Sequence, residues 1–155
     1  MHERPRQRRR RTTTCSTAAR LRLIFEPGRY LLRNNASDDF WAPLIGWYTG
    51  ARLGEIVSLA LDGVVEDRDS GLWCLKVGTK NTNSQRLVPV PAALVDLGFM
   101  GYLDHVRQLG ATTLFPHREA NATRINDSSK HVSRVFGQYL NNVGISEPKK
   151  GRFQV

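Results

Sequence analysis

The segment TGARLGEIVSL, residues 49–59, sets an arginine between a glycine and a run of helix-compatible residues. Gly50 is expected to end one helix, since glycine adopts the left-handed conformation that commonly follows a helix. A second helix should open at about Arg52, with these positions buried: Leu53, Ile56, Val57 and Leu59. At a helix start, the dipole and the two-pronged guanidinium of Arg52 both favour an oxyanion. Glu55, one turn further on, could hold that arginine in place, although a plain Arg–Glu pair, worth only about 0.2–0.5 kcal/mol, has the same spacing.

Outward from this segment, apolar residues follow helical spacing on both sides of a short strand region. Structure is expected to begin near Leu21 and to break at Pro27-Gly28. Ser37 is the expected N-cap of the helix before the segment. Its apolar stripe comprises Phe40, Trp41, Leu44, Ile45 and Tyr48. Further helices are expected after Pro91 and over about 128–142, where apolar residues recur at i, i+3, i+4 and i+7.

Between these helices the sequence contains the signal of a β-hairpin. Apolar and polar residues alternate over 73–77, and a β-branched run occupies 86–91. The polar residues between the two runs are typical of a turn. Pro89 places the second strand at an edge or near its end, because proline cannot donate a ladder hydrogen bond. The sequence therefore predicts an α+β domain over 21–155, mainly helical, with a small antiparallel β-sheet or hairpin.

Residues 1–20 form a separate compositional zone, predicted to be a disordered basic arm. Residues 1–11 hold six arginines and one glutamate, whereas the other 144 residues hold 17 basic and 13 acidic side chains. Three interpretations stay open: an arm that binds the DNA backbone, a targeting peptide, and a translated stretch upstream of a damaged gene's real reading frame. Residues 37–75 are net acidic and residues 76–155 net basic. The basic half could lie along phosphates or be an ordinary solvated surface.

Several familiar sites are missing from the sequence. The patterns GxxxxGK[ST], GxGxxG, HExxH and GxSxG do not occur, which argues against nucleotide-binding enzymes, zinc proteases and α/β-hydrolases. Cys15 and Cys74 have neither CxxC nor Cys/His spacing, so no disulfide framework or zinc site is suggested. No run approaches the roughly 18 apolar residues of a membrane helix. We therefore expect no cofactor, no metal, no nucleotide and no membrane partner.

Around the arginine the sequence resembles a known family. Residues 41–59, with the core YTGARLGEI, look like the first arginine box of the tyrosine recombinases, the phage-integrase family. Asp62 matches the aspartate that follows that box. Residues 79–91 resemble the family's lysine-bearing hairpin and its R-x-V-P return strand, and the LFP at 114–116 falls in the family's order. The resemblance covers about residues 21–153, which would make the chain a partial tyrosine-recombinase catalytic domain.

The resemblance implies a mechanism and the residues that carry it. In the family, a tyrosine attacks the scissile phosphate of double-stranded DNA and forms a 3′-phosphotyrosyl bond without metal or nucleotide. Arg52 is implied as the first phosphate-binding arginine, Lys80 as the general acid for the leaving 5′-hydroxyl, and Glu55 as the support of Arg52. A phosphoryl transition state needs charge neutralisation by preorganised donors, which agrees with these roles. Intact members act as tetramers on DNA, and the implied location is cytoplasmic, bacterial or phage-derived and associated with the nucleoid.

The resemblance also implies that parts of the catalytic site are missing. The family's His-x-x-Arg box and nucleophilic tyrosine are expected after the end of this sequence, so no nucleophile is assigned within it. His131-Val-Ser-Arg134 has the right spacing but falls inside the last predicted helix, and we do not interpret it as that box. Tyr30 precedes the arginine box. The other tyrosines are expected in the core: Tyr48, Tyr102 and Tyr139.

The expected function is DNA integration and recombination by resemblance, carried by a chain that does not cleave DNA in isolation. A non-catalytic DNA-binding remnant or regulator is the alternative. A generic basic RNA- or ribosome-associated protein is a third interpretation, and the nearly balanced charge outside residues 1–11 argues against it.

Overall fold

Helices make up most of the residues that the structure describes, and one small sheet accompanies them there. The computed structural model describes residues 17–33, 37–78, 85–116 and 125–145. The helices are α1 (Thr17–Ile24), α2 (Pro27–Arg33), α3 (Ser37–Thr49), α4 (Leu53–Val57), α5 (Ala92–Asp96), α6 (Phe99–Gln108) and α7 (Ile125–Asn142). The strands are β1 (Val64–Glu66), β2 (Trp73–Val77) and β3 (Arg86–Pro89). The predicted α+β class, mainly helical with a small antiparallel sheet, is confirmed.

Two short helices open the described chain, where a short turn and a break were predicted. Pro27 begins α2 instead of interrupting the structure, because the first N–H of a helix has no helical acceptor and proline loses nothing there. The Glu26 carboxylate accepts the backbone N–H groups of Gly28 at 3.2 Å and Arg29 at 3.0 Å. The predicted break does separate two segments, but it lies at Phe25-Glu26, two residues earlier than Pro27-Gly28. α1 begins at Thr17, inside the stretch predicted as a basic arm; residues 1–16 lie outside the described residues, and the arm stays a prediction.

α3 begins at Ser37 and ends at Thr49, as the sequence predicts. Gly50 then takes a φ of 66° and donates its N–H to the carbonyl of Gly46 at 2.9 Å. This left-handed turn is the one that glycine forms without strain, and it re-aims the chain into α4. Tyr48 is 41% exposed, so its predicted place in the core is wrong. The last turn of α3 lies at the surface, where the neighbouring Trp47 is exposed as well.

The sheet has the order β1-β2-β3, with both pairs antiparallel. β3 is an edge strand that ends at Pro89, so the predicted hairpin and the predicted edge are both confirmed. Val77 pairs with Arg86 at the end of the hairpin ladder. β1 was not predicted, because three residues are too few to show an alternating pattern.

A single apolar core connects the helices to the sheet. α7 packs against α3 and α4, and it begins at Ile125, about three residues earlier than predicted. The side chains with almost no exposure include Ile45, Ile56, Leu75, Leu94, Phe99, Leu103 and Leu114. In the described part of the chain, no helix combines the length and apolarity needed to cross a membrane.

Candidate functional site

Arg52 is the residue immediately before the first turn of α4, and its backbone is extended, with φ −70° and ψ 143°. Its neighbours fix the backbone on both sides. Ala51 is buried and donates its N–H to the Thr49 hydroxyl at 3.2 Å, and the Arg52 carbonyl accepts the N–H of Ile56 at 3.0 Å. The Arg52 side chain is exposed. The sequence prediction of an arginine presented at a helix start is confirmed.

Glu55 supports Arg52 through the backbone. Its Oε2 accepts the backbone N–H of Arg52 at 2.9 Å. This contact satisfies one of the amide groups that have no acceptor at a helix start. The sequence predicted that Glu55 would hold Arg52 in place, and the structure shows this contact at the backbone amide of Arg52. The Glu55 side chain is only 10% exposed, so the carboxylate is largely removed from water.

Arg86, which the sequence analysis did not select, is the partner of the Glu55 carboxylate. Its Nη1 lies 3.4 Å from Oε1 and its Nη2 lies 3.2 Å from Oε2, so each guanidinium nitrogen faces one oxygen. The side chain of Arg86 is 46% exposed. The two residues are 31 positions apart in the chain, and no helical or strand spacing connects them. The signals in the sequence were that Arg86 begins the second strand of the hairpin and is the arginine of its R-x-V-P pattern. We call Arg52, Glu55 and Arg86 the arginine–glutamate cluster.

The electrostatics of the cluster favour an ionised Glu55. Its pKa is held below the ordinary value, first by the hydrogen bond from the Arg52 amide and next by the hydrogen bond from Arg86, with the charges of both arginines adding. A carboxyl whose pKa is lowered by folding stabilises the folded state above its unfolded pKa. That stabilisation is lost as the pH falls through the folded pKa.

Replacing Glu55 by glutamine is therefore expected to destabilise the protein in a pH-dependent way. At about pH 7 the loss should be about 1–3 kcal/mol, because the charge-assisted contacts of a largely buried acceptor are weakened. The difference in the free energy of unfolding between Glu55→Gln and the unmodified chain should narrow as the pH falls from the unfolded pKa of Glu55 through its lower folded pKa, below which the carboxyl is protonated in both states. Urea unfolding of both proteins at a series of pH values measures this difference in the free energy of unfolding.

The matched control for this substitution is Asp104→Asn. Asp104 pairs with Arg107 at 3.3 Å and is 66% exposed, so its loss should change stability by less than about 0.5 kcal/mol. If the difference in the free energy of unfolding between Glu55→Gln and the unmodified chain stayed constant from neutral to acidic pH, the assigned contacts would be contradicted.

Lys80, the predicted general acid, lies outside the described residues, as does the rest of 79–84. The structure does describe the strands that lead into and out of that segment. β2 ends at Val77, which pairs with Arg86, and Arg86 contacts Glu55 on α4. The base of the hairpin is thus joined to the start of α4, while the placement of Lys80 beside Arg52 stays a prediction.

The His131-x-x-Arg134 pair lies within α7, as the sequence analysis placed it. Nη2 of Arg134 lies 3.5 Å from Nδ1 of His131, and Nε2 of His131 lies 4.0 Å from a carboxylate oxygen of Asp39 on α3. These contacts join the helix surface of α7 to the start of α3. They place neither side chain in the arginine–glutamate cluster.

Three of the tyrosine hydroxyls are engaged with the backbone. Each donates to a carbonyl: Tyr30 to Phe40 at 2.6 Å, Tyr102 to Leu114 at 2.6 Å, and Tyr139 to Ile24 at 2.5 Å. Burial raises the pKa of Tyr30 far above its ordinary value, and burial also raises the pKa of Tyr102. A hydroxyl that must remain protonated to keep its hydrogen bond is a poor nucleophile.

An apolar cavity of about 350 Å³ lies between α3, α4 and α7. Ala51 and Leu53, the neighbours of Arg52, belong to its lining, together with Ile56 and Phe136. Its walls offer few polar groups, so the cavity does not suit a phosphate or another charged ligand. Among the described residues, no cluster of three or more His, Cys, Asp or Glu side chains could hold a metal ion.

Comparisons with protein-family models, with curated proteins and with solved structures returned no match to this chain.

Proposed function

We propose that this chain is a DNA-binding part of a tyrosine-recombinase, or phage-integrase, catalytic domain. In this proposal Arg52 contacts a backbone phosphate of double-stranded DNA, Glu55 supports it, and Lys80 is the general acid on the hairpin. The family's reaction is DNA integration and recombination through a phosphotyrosyl intermediate. The chain by itself binds DNA without cutting it. Its place of action would be the bacterial cytoplasm, at the nucleoid, where intact members of the family act as tetramers on DNA.

The observation that carries the proposal is an exposed arginine on a backbone fixed from several directions. The Gly50 turn, the buried Ala51 and the Glu55 carboxylate together define where the Arg52 side chain leaves the protein. A side chain that projects from a rigid point loses less entropy when it binds. An exposed guanidinium presents planar donors that match two phosphate oxygens at once.

The charge balance of the arginine–glutamate cluster supports a phosphate rather than a cation as the ligand. The Glu55 carboxylate is already paired with the guanidinium of Arg86. The Arg52 side chain is exposed, and two guanidinium groups share one carboxylate, so the three groups together carry one net positive charge. DNA phosphates attract such a surface, and their release of counterions on binding makes the attraction dependent on salt.

Arg52→Ala is expected to weaken binding to duplex DNA roughly tenfold, as one charge-assisted phosphate contact is lost. The slope of log K against log salt should also fall by about one unit, since one fewer phosphate is neutralised. Fluorescence anisotropy of a labelled duplex, titrated with the full chain at several salt concentrations, measures both quantities. The basic residues 1–20 are present in every sample and contribute equally.

Arg29→Ala is the matched control, because Arg29 is an exposed arginine on α2 that lies only 3.8 Å from Glu26. It removes the same charge and should leave affinity within about twofold of the unmodified chain. An affinity for Arg52→Ala equal to that of Arg29→Ala would overturn the phosphate role. It would favour instead a non-catalytic DNA-binding remnant or regulator that binds through residues 1–20 and the basic half of the chain.

A further inference from the structure

The contact between β3 and α4 gives a role to a residue outside the predicted site. We propose that Arg86 is a positioning residue: its guanidinium fixes the Glu55 carboxylate, which holds the backbone N–H of Arg52, so that the hairpin base and the phosphate-binding arginine form one unit. The phosphate role of Arg52 in this statement rests on the proposed function. The chain of contacts from Arg86 to Arg52 rests on geometry alone.

The first step is that the Arg86 guanidinium contacts both carboxylate oxygens of Glu55. Its two terminal nitrogens lie 3.4 and 3.2 Å from the two oxygens. A glutamate has three side-chain torsions, and a single contact leaves the carboxylate free to turn about the last of them. A two-point contact with a planar guanidinium removes that freedom and sets the plane of the carboxylate.

The second step leads from the carboxylate to the backbone of Arg52. The oxygen that faces Nη2 of Arg86 at 3.2 Å, Oε2, is also the oxygen that accepts the Arg52 amide at 2.9 Å. One atom therefore joins the guanidinium on β3 to the residue that starts α4. Because the Glu55 side chain is only 10% exposed, water competes weakly for this oxygen, and an electrostatic contact is stronger in such surroundings than in bulk water.

The third step concerns the strand from which the Arg86 side chain extends. Arg86 pairs with Val77, which is 1% exposed and belongs to the apolar core. The backbone of Arg86 is therefore held in a rigid strand. This fixes the point from which the guanidinium extends to α4. A displacement of the β2–β3 ladder would move the Glu55 carboxylate, and with it the amide of Arg52. Arg86 thus couples the hairpin to the cluster without itself contacting the phosphate.

NMR spectroscopy of the full chain tests this directly. The Arg52 backbone amide reports the ionisation of Glu55, because that carboxylate is its hydrogen-bond acceptor. In Arg86→Ala the midpoint of the pH titration of this amide should rise towards the ordinary pKa of glutamate, and the amide should exchange faster with solvent. Arg86→Lys should give an intermediate midpoint, since it keeps the charge and loses the two-point contact. Arg29→Ala should leave the midpoint unchanged.

If Arg86→Ala lowers the folded fraction, Arg86→Met keeps the apolar stem and removes only the guanidinium. Retention of the original midpoint in both Arg86→Ala and Arg86→Met would overturn the positioning role. A shifted midpoint for the Arg52 amide with unchanged amides in α6, which is remote from the cluster in sequence, would support the positioning role. A purely structural role would not explain that combination.

A double-mutant cycle on DNA affinity links the positioning role to the phosphate site. If Arg86 acts through Glu55 on Arg52, then Arg52→Ala should cost roughly tenfold in the unmodified chain and less than about twofold in the Arg86→Ala background. A full tenfold loss in both backgrounds would overturn the coupling. If Arg52→Ala has no effect in either background, the proposed DNA function fails, and the amide titration alone decides the role of Arg86.

Discussion

Incubating the full chain with a nicked duplex that traps phosphotyrosyl bonds is expected to give no covalent protein–DNA adduct. Formation of the adduct requires a tyrosine oxygen in line with the scissile phosphate. The sequence contains four tyrosines. The hydroxyls of Tyr30, Tyr102 and Tyr139 donate to backbone carbonyls, and Tyr48 lies on the last turn of α3, four residues before Arg52. A denaturing gel of labelled DNA after incubation measures the outcome as the presence or absence of a shifted band.

Anisotropy measured on the same samples shows that the DNA is bound, so a missing band cannot result from missing contact. Tyr48→Phe is the informative variant, because Tyr48, at 41% exposure, is the most exposed of the four tyrosines. An adduct formed by the unmodified chain and lost in Tyr48→Phe would contradict the assignment and would place the nucleophile on α3.

Phe99→Ala is expected to have the largest effect on stability, a loss of about 3–5 kcal/mol in the free energy of unfolding. Phe99 has no exposed surface and meets the Trp41 ring edge-on at a centroid distance of 5.1 Å. Truncation removes this aromatic contact and leaves a cavity that α3 and α6 cannot close without moving. Because small domains are stable by only about 5–15 kcal/mol, the variant should unfold at a clearly lower urea concentration. Tryptophan fluorescence follows the transition, since Trp41 is in direct contact with the site.

Leu109→Ala is the matched control for this loss. Leu109 follows α6 and is 59% exposed, so its truncation should change stability by no more than about 0.5 kcal/mol. Equal midpoints of unfolding for Phe99→Ala and Leu109→Ala would show that the core is not organised around the Phe99–Trp41 contact.

The parts of the fold that could be predicted are those that local pattern determines. α3 and α7 have long apolar stripes, and the β2–β3 hairpin combines alternation with a polar turn and a terminal proline. The start of α2 could not be predicted in the same way, because Pro27-Gly28 has the composition of a break. The Glu26 carboxylate decides the matter by capping the amides of Gly28 and Arg29, and that contact depends on a rotamer rather than on a pattern.

In the candidate site, too, the local features could be predicted and the long-range contacts could not. Arg52 was predictable, because a glycine followed by an arginine at a helix start is a local arrangement. The partner of Glu55 was not, since Arg86 reaches it across 31 residues and only the tertiary fold brings the two together. The contact of Glu55 with Arg52 was predictable, because a carboxylate one turn into a helix can accept a hydrogen bond from the residue at the helix start. The sequence did not specify which group of Arg52 would donate, and the structure shows that it is the amide.

The sheet described above also bears on self-association. Open strand edges recruit strands from other molecules, and proteins limit this with short edges, charges and prolines. Here one edge strand, β1, has three residues and ends in Glu66, and the other, β3, has four, beginning with Arg86 and ending with Pro89. Neither edge offers a long uncharged template for a second copy. If this protein aggregates, contact between exposed apolar side chains such as Leu87 and Trp47 is the expected route, and addition of strands to the sheet is not.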